Sequence, residues 1–192
     1  MLRRLYNWIL WLAETRHAIW ALAAVSFVES SVFPIPPDVM LIPMIIARPD
    51  RAFRIALVCT LASVAGGVLG YLIGYGLFET VGQPILAFYG YTHQFESFAA
   101  RYNEYGAWAV LFAGVTPFPY KVITILSGST GLDFWIFMIS SIVARSLRFF
   151  AIALLLWKFG PAVRDFIDRR FGLVSTAAII LLFAGFAAIK FL

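Results

Sequence analysis

The chain of 192 residues is 62% hydrophobic and 17% aromatic, only 13% of its residues are charged, and its formal net charge is +5. Soluble domains carry about 25% charged residues, so this composition excludes an ordinary soluble domain and predicts an all-α integral membrane protein. The basic residues are scattered through apolar sequence, which argues against a nucleic-acid partner. The single Cys59 and the widely separated His17 and His93 lack the spacing of a disulfide or metal site, so we expect no metal and no cofactor.

Residues 1–17 are predicted to form an amphipathic helix that lies on the membrane surface. The apolar residues Leu5, Trp8, Ile9 and Leu12 recur at helical spacing among charged ones. A cleaved signal peptide is the weaker interpretation, because the apolar part is interrupted and no small-residue cleavage motif follows it.

The next segment, 18–47, contains two short apolar stretches, 18–28 and 39–47, each about half as long as the roughly 20 residues that cross a bilayer. Three prolines lie between them: Pro34, Pro36 and Pro37. Proline fixes φ and removes a backbone donor, so these residues predict a helix break. We therefore expect a re-entrant hairpin that enters and leaves the membrane on one side, with a single proline-kinked span as the alternative.

The rest of the chain is predicted to continue the same membrane domain. After the first hairpin we expect a transmembrane helix at 55–78, an extracytoplasmic connector at 79–106 and a second re-entrant hairpin at 107–132. A transmembrane helix at 134–157, a cytoplasmic loop at 158–172 and a further transmembrane helix at 173–189 follow.

The two predicted hairpins resemble each other in sequence. The stretch "PIPPDV" at 34–39 aligns with "PFPYKV" at 117–122, which places Lys121 where the first copy has Asp38. The prolines of the second copy are Pro117 and Pro119. Since the order of half-span, turn, half-span and span also recurs, we expect two repeats whose broken helices meet near the membrane midplane.

The distribution of basic residues sets the predicted orientation. A cytoplasmic N-terminus leaves only Arg101 and Lys190 among the basic residues on the outside, as the positive-inside rule requires. In this orientation the first hairpin enters from the cytoplasm and the second from the outside. The two repeats are therefore predicted to be inverted.

Five charged residues are predicted to lie at membrane depth: Glu29, Asp38, Lys121, Arg145 and Arg148. Each would cost about 2.5–3.5 kcal/mol if it stayed unpaired there, so these groups must pair, titrate or face water. The two proline turns should bring Asp38 and Lys121 within reach of each other or of a shared ligand. Arg145 and Arg148 stand three positions apart and share one helix face.

These residue types suit a phosphate group and a proton. Guanidinium groups bind phosphate through planar paired donors. We assign substrate binding to the cations and to the prolines of the second turn: Lys121, Arg145, Arg148, Pro117 and Pro119. We assign proton coupling to Glu29 and Asp38, because carboxylates beside cations at membrane depth are placed to take up and release protons. In the structural alternative the arginines only neutralise the two carboxylates, Arg148 reaches the cytoplasmic edge, or Lys121 only pairs with Asp38.

Small residues recur every fourth position within 55–78, at Ala62, Gly66, Gly70 and Gly74, and predict close helix packing. A nucleotide-binding fingerprint is excluded there, because no G-x-G-x-x-G is completed. The stretch "SGSTG" at 127–131 is a weaker candidate for free backbone groups that contact a ligand. Cys59 is interpreted as a packing residue.

Four stretches carry a family resemblance: "FVESSVFPIPPDVMLIP", the glycine-rich span behind it, "TPFPYKVITILSGSTGLD" and "ARSLRFFAIALLLWKFGP". Over about 20–161 the chain resembles the DedA family, also called VTT-domain or SNARE-associated Golgi proteins, and in particular its YqaA-like branch. The resemblance implies inverted re-entrant hairpins, with Glu29 and Asp38 as the acidic residues of the first. The chain departs from the better-studied branch at Gly114 and Tyr120, where that branch carries arginines.

The resemblance also implies a function. Its members are associated with moving lipids between leaflets, including undecaprenyl phosphate and phosphatidylethanolamine, with links to the proton gradient and envelope homeostasis. We therefore expect a multi-pass lipid transporter of the bacterial inner membrane, a flippase or scramblase whose partners are membrane lipids and protons, and the sequence is compatible with a homo-oligomer.

Three other functions fit the sequence less well. A proton-coupled carrier of a small solute or ion is the alternative. An enzyme is disfavoured, because neither histidine lies at membrane depth to act as a base. A purely structural or assembly role remains as a further alternative.

Overall fold

The computed structural model describes residues 17–31, 36–116 and 118–169, with side chains up to Gly160. Within these ranges all regular structure is helical. The α-helices are α1 Ala18–Ser31, α2 Asp38–Ala47, α3 Ala52–Leu77, α4 Gln83–Tyr89, α5 Thr92–Glu104, α6 Gly106–Val115, α7 Tyr120–Ser129 and α8 Phe134–Arg169. The predicted helix 173–189, Pro34, Pro117 and all but the last residue of the predicted amphipathic helix lie outside the described residues.

Two helical stretches are long and apolar enough to cross a membrane. They are Pro49–Tyr89, with a mean hydropathy of 2.0, and Phe134–Gly160, with 1.8. The other apolar helices are too short: Ala18–Ser31, Asp38–Ala47 and Gly106–Val115. This combination of two long and several short apolar helices agrees with the predicted all-helical membrane protein.

Helices α1 and α2 form a pair in which the chain reverses direction. Ser26 Oγ lies 3.0 Å from Cys59 Sγ, and Ser30 Oγ lies 2.7 Å from Ser63 Oγ, so α1 runs parallel to α3. Helices α1 and α3 therefore start at the same end of the molecule. Because α2 leads through the 3₁₀ turn Pro49–Arg51 directly into α3, it must run back toward that end. The two described helices of this segment therefore run in opposite directions.

Helices α6 and α7 repeat this arrangement beside α8. Gly106 at the start of α6 lies against Leu132, just before α8, and Gly114 lies against Ala144. Helix α6 therefore runs parallel to α8, as α1 does to α3.

The two long helices run antiparallel to each other. Tyr71, near the end of α3, has its ring centroid 5.1 Å from that of Phe137, near the start of α8. At the opposite end, the rings of Phe53 and Trp157 lie 5.9 Å apart. We call α1–α3 the first unit and α6–α8 the second. The long helix of each unit also packs against the second short helix of the other unit, since α7 lies on α3 and α2 lies on α8.

The glycines of α3 lie where other helix backbones approach it closely. A Cβ atom added to Gly66 would overlap the carbonyl oxygen of Phe27 in α1. A Cβ atom added to Gly74 would overlap the carbonyl oxygen of Ile125 in α7. The predicted role of this glycine series in close helix packing is confirmed.

Helical structure extends further than predicted at two places. After α3 the chain continues through a π-helical turn, Phe78–Gly82, into α4, so the predicted connector 79–106 begins as helix. Helix α4 ends only at Gly90, whose φ of 71° is the left-handed conformation that glycine adopts readily. Helix α8 continues to Arg169, so most of the predicted loop 158–172 is helical. Ala162 and the arginines of this stretch are good helix formers.

The "SGSTG" stretch forms the C-terminal cap of α7. Gly131 has a φ of 66°, its N–H donates to the carbonyl of Gly128 at 3.1 Å, and the N–H of Leu132 donates to the carbonyl of Ser127 at 3.0 Å. These two bonds form a Schellman motif, in which the helix carbonyls find partners within the cap. The expectation that this stretch offers free backbone groups is wrong for these carbonyls.

Candidate functional site

A buried arginine with three side-chain acceptors lies between α1, α3 and α8. Arg145 of α8 is only 3% exposed. Its Nη2 donates to Glu29 Oε2 at 2.7 Å and to Ser30 Oγ at 3.1 Å, while its Nε donates to Ser63 Oγ at 2.6 Å. The pair therefore joins α1, α3 and α8, and hydrogen bonds accompany the ion pair, as a buried charge requires.

An aromatic ring lies against the guanidinium group of this arginine. The guanidinium carbon of Arg145 lies 4.1 Å from the ring centroid of Tyr120, within the range of a cation–π contact. Tyr120 is fully buried, and its hydroxyl donates to Ser141 Oγ at 2.5 Å. The tyrosine ring thus lies over the guanidinium group, and Arg145 has partners in α1, α3 and α7.

A second ion pair lies between the start of α2 and the end of α6. Arg148 Nη2 donates to Asp38 Oδ2 at 2.5 Å, and its Nη1 donates to the carbonyl of Thr116 at 2.6 Å. Asp38 is the first residue of α2, and Thr116 directly follows α6. The guanidinium group of Arg148 therefore binds both the first residue of α2 and the residue that follows α6.

The second pair is less completely satisfied than the first. Its side chains are 17% and 19% exposed, and three buried polar atoms around it have no hydrogen-bond partner among the described residues: Arg148 Nε, Asp38 Oδ1 and Thr116 Oγ1. Buried polar atoms are nearly always hydrogen-bonded in folded proteins, so these three differ from the fully bonded groups around Arg145. Arg148 Nε is a donor, Thr116 Oγ1 can donate, and Asp38 Oδ1 is a carboxylate acceptor.

The sequence model of the VTT domain matches residues 35–158, a range that includes α2, α3, α6, α7, Arg145 and Arg148. This chain belongs to the VTT-domain family. An uncharacterized protein of Haemophilus influenzae is 38% identical over 160 residues, which cover 81% of this chain and 83% of that protein. A protein of Histophilus somni that is also described as uncharacterized is 34% identical over 168 residues, 85% of this chain and 87% of that protein. No solved structure matches the chain.

The structure of this VTT domain brings four of the predicted site residues together, in the two pairs Glu29–Arg145 and Asp38–Arg148. Among the described residues Asp38 forms its ion pair with Arg148 and none with Lys121, and the alternative that Asp38 and Lys121 share a ligand stays a prediction. Helix α2 packs on α8 and presents Asp38 to it, whereas Lys121 lies in the first turn of α7, which packs on α3.

The described prolines of the VTT domain's two P-x-P stretches lie at the starts of helices. Pro36 and Pro37 directly precede α2, and Pro37 is its N-cap residue. Pro119 is the N-cap residue of α7. Because a proline lacks the N–H that a helix start leaves without a partner, these positions tolerate it well.

Several residues that build the site were missed by the sequence reasoning. Ser30 and Ser63 bind Arg145, and Tyr120 supports it. The available signal was a spacing of four, which Ser30 shares with Ser26 in α1 and Ser63 shares with Cys59 in α3. Polar small residues at this spacing on an apolar helix mark a face that bonds to a neighbouring helix.

Proposed function

We propose that this VTT-domain protein moves a phosphate-bearing lipid, a phospholipid or a polyprenyl phosphate, between the leaflets of the bacterial inner membrane. It acts as a flippase or scramblase of the YqaA-like branch, without covalent chemistry, and supports envelope homeostasis. The observation that carries this proposal is the set of contacts around Arg148. Its guanidinium group binds Asp38 at the start of α2 and the carbonyl of Thr116 after α6, and its Nε has no partner among the described residues.

In the proposed topology each short helix pair is a re-entrant hairpin and the two units are inverted repeats. At 1.5 Å per residue, the 10 residues of α2 span about 15 Å, half of a bilayer core. Helices α3 and α8 run antiparallel to each other. Each has the first short helix of its own unit parallel to it and the second short helix of the other unit packed on it, which supports a twofold relation between the units. The N-terminus is cytoplasmic in this arrangement.

The lipid phosphate binds at Arg148. The free Nε of Arg148 and the Thr116 hydroxyl donate to phosphate oxygens, a charge-assisted geometry that guanidinium groups favour. Lys121, at the start of α7, adds positive charge beside the second turn. Arg145 has a smaller part in phosphate binding, because Glu29 and Ser30 accept from its Nη2 and Ser63 accepts from its Nε.

Asp38 couples phosphate binding to a proton. In its ionised form it competes with the lipid phosphate for Arg148. Protonation of Asp38 removes that competitor, frees the guanidinium for the phosphate and leaves a neutral acid that can donate from its oxygen. Loss of the proton restores the ion pair and releases the lipid. Glu29, by contrast, holds Arg145 in place.

The outer surface of the long helices suits acyl chains. Large apolar side chains that are about half exposed or more line α3 and α8: Leu57, Leu61, Leu72, Ile139 and Leu147. A headgroup at Arg148 with its acyl chains on this surface would stay in continuous contact with the bilayer. This favours a lipid over a water-soluble solute.

The test is transbilayer movement of an acyl-labelled phosphatidylglycerol, and of a labelled polyprenyl phosphate, in vesicles that contain the purified protein. Loss of charged hydrogen bonds worth about 1.5–3 kcal/mol predicts that Arg148→Gln slows movement about 10- to 100-fold. Asp38→Asn should make the rate insensitive to an imposed pH gradient. Arg51→Gln, at an exposed ion pair on the surface, is the matched control and should leave the rate unchanged.

Thermal unfolding of each variant in detergent separates loss of transport from loss of folding. If folded Arg148→Gln protein moved lipid as fast as wild type, the assigned site would be wrong. If wild-type vesicles moved neither lipid faster than protein-free vesicles but took up labelled inorganic phosphate, the protein would be the alternative, a proton-coupled carrier of a small anion.

A further inference from the structure

One cavity of the molecule lies away from both arginines. It is open to the surface and is lined by the end of α3, the π-helical turn Phe78–Gly82, helices α4 and α5, and the C-terminal end of α7 with its cap. Its volume is about 480 Å³, which is within the range of small-ligand sites. Tyr75 in its wall lies about 18 Å along α3 from Ser63, so the cavity is distinct from the arginine sites.

The charges around this cavity are all of one sign. Glu79 from the π-helical turn and Glu96 from α5 line it, and the described lining includes no lysine, arginine or histidine. The last turn of α7, from Gly128 to Gly131, forms another part of the wall. A helix C-terminus carries a partial negative charge, so it adds to the potential of the two carboxylates. The cavity therefore favours a cation.

The remaining wall is aromatic. Phe78 and Phe95 stack with their ring centroids 4.5 Å apart and an interplanar angle of 25°, and Tyr75 lies beside them. Aromatic faces attract organic cations and at the same time cover their apolar carbon atoms. A wall of carboxylates and aromatic rings thus suits an ammonium group on a carbon chain.

The shape of the cavity is fixed by bonds between α5 and the end of α7. The Tyr102 hydroxyl lies 2.9 Å from Ser127 Oγ, and Asn103 Nδ2 donates to the carbonyl of Thr130 at 2.8 Å. One wall is a π-helical turn, a rare element that occurs often at functional sites. A cavity with bonded walls needs little rearrangement to accept a ligand.

The residues argue against a metal ion as the occupant. Among the described residues no group of three or more histidine, cysteine, aspartate or glutamate side chains could hold a metal. Two carboxylates from separate elements provide few of the six to eight oxygen ligands that a calcium ion takes. An organic cation needs only charge and aromatic surface, which this cavity has.

We propose that this cavity binds an organic ammonium group, with Glu79 and Glu96 supplying the charge and Tyr75 an aromatic face. The ammonium group belongs either to a soluble amine or to the headgroup of a lipid. The site goes beyond the lipid-phosphate site at Arg148, and its occupation does not depend on whether the protein moves lipid.

Titration calorimetry of the full chain in detergent tests the site, with putrescine as the probe and 1,4-butanediol as its uncharged counterpart. Wild type should bind putrescine saturably and the diol not at all. The double variant Glu79→Gln, Glu96→Gln should bind putrescine at least tenfold more weakly, and Tyr75→Leu severalfold more weakly. Glu104 is an exposed carboxylate on α5, the helix of Glu96, but it lies outside the cavity. The control variant Glu104→Gln should therefore bind putrescine like wild type.

An equal loss in Glu104→Gln and in the double variant would overturn the proposal, since it would indicate general attraction to surface charge. Saturable binding that the double variant retains at wild-type strength would overturn it as well. Nanodiscs then identify the source of the amine. Weaker putrescine binding in ethanolamine lipids than in glycerol lipids would mean that the lipid headgroup competes for the cavity, and equal binding would indicate a soluble amine.

Discussion

Replacement of Arg145 by glutamine is expected to destabilise the protein strongly. The side chain is 3% exposed and donates three hydrogen bonds, to Glu29, Ser30 and Ser63. Each hydrogen bond to a charged group is worth about 1.5–3 kcal/mol, but glutamine can retain part of one and the neighbours relax. Removal of one partner from a buried pair typically costs about 3–5 kcal/mol, because the other charge stays buried, and we expect a loss in this range.

The measurement is equilibrium unfolding of the purified protein in mixed detergent and sodium dodecyl sulfate micelles. The control is Arg51→Gln, which breaks a 3.6 Å ion pair whose side chains are 56% and 68% exposed, and it should cost no more than about 1 kcal/mol. The double variant Glu29→Gln, Arg145→Gln should be less destabilised than the sum of its single variants, because it leaves no unpaired charge. A cost for Arg145→Gln that equals the cost for Arg51→Gln would refute the burial of the pair.

Two further predictions concern the helix seams and the connector. Gly74→Ala should cost about 1–3 kcal/mol in thermal unfolding, because its Cβ would overlap the Ile125 carbonyl, whereas Gly76→Ala, with open space around it, should be neutral or stabilise by up to about 1 kcal/mol. Equal effects of the two alanines would contradict the close approach of α3 and α7. Burial raises the pKa of the Tyr102 phenol, although its hydrogen bond with Ser127 lowers it. Above about pH 10 the unfolded state ionises first, so stability should fall as pH rises, and Tyr102→Phe should reduce that fall in an alkaline titration of the unfolding temperature.

The elements that hydropathy and proline define could be predicted from the sequence. The long apolar runs of α3 and α8, the short runs of the other helices, and the breaks at Pro36, Pro37 and Pro119 are local properties. The packing role of Gly66 and Gly74 was predictable for the same reason, since a repeat of small residues is visible within one helix.

The pairing of the charges could not be predicted in this way. Asp38 and Lys121 occupy matching positions of the two sequence copies, and this suggested a contact between them. Their actual neighbours depend on which long helix each short helix packs against, and neither copy encodes that choice locally. Likewise Arg145 and Arg148 look equivalent on one helix face, but only Arg145 faces the hydroxyls that α1 and α3 supply.

The glycines also determine which parts of the molecule can move. At Gly66 and Gly74 the backbones of α1 and α7 lie directly on α3, so we expect these three helices to move together. Gly114 packs α6 against α8 through the Ala144 side chain. Helix α2 has no glycine and is held to α8 by side chains and by the Asp38–Arg148 bond. Any opening of the protein is therefore expected to begin with α2, and Asp38–Arg148 is the ion pair that must break.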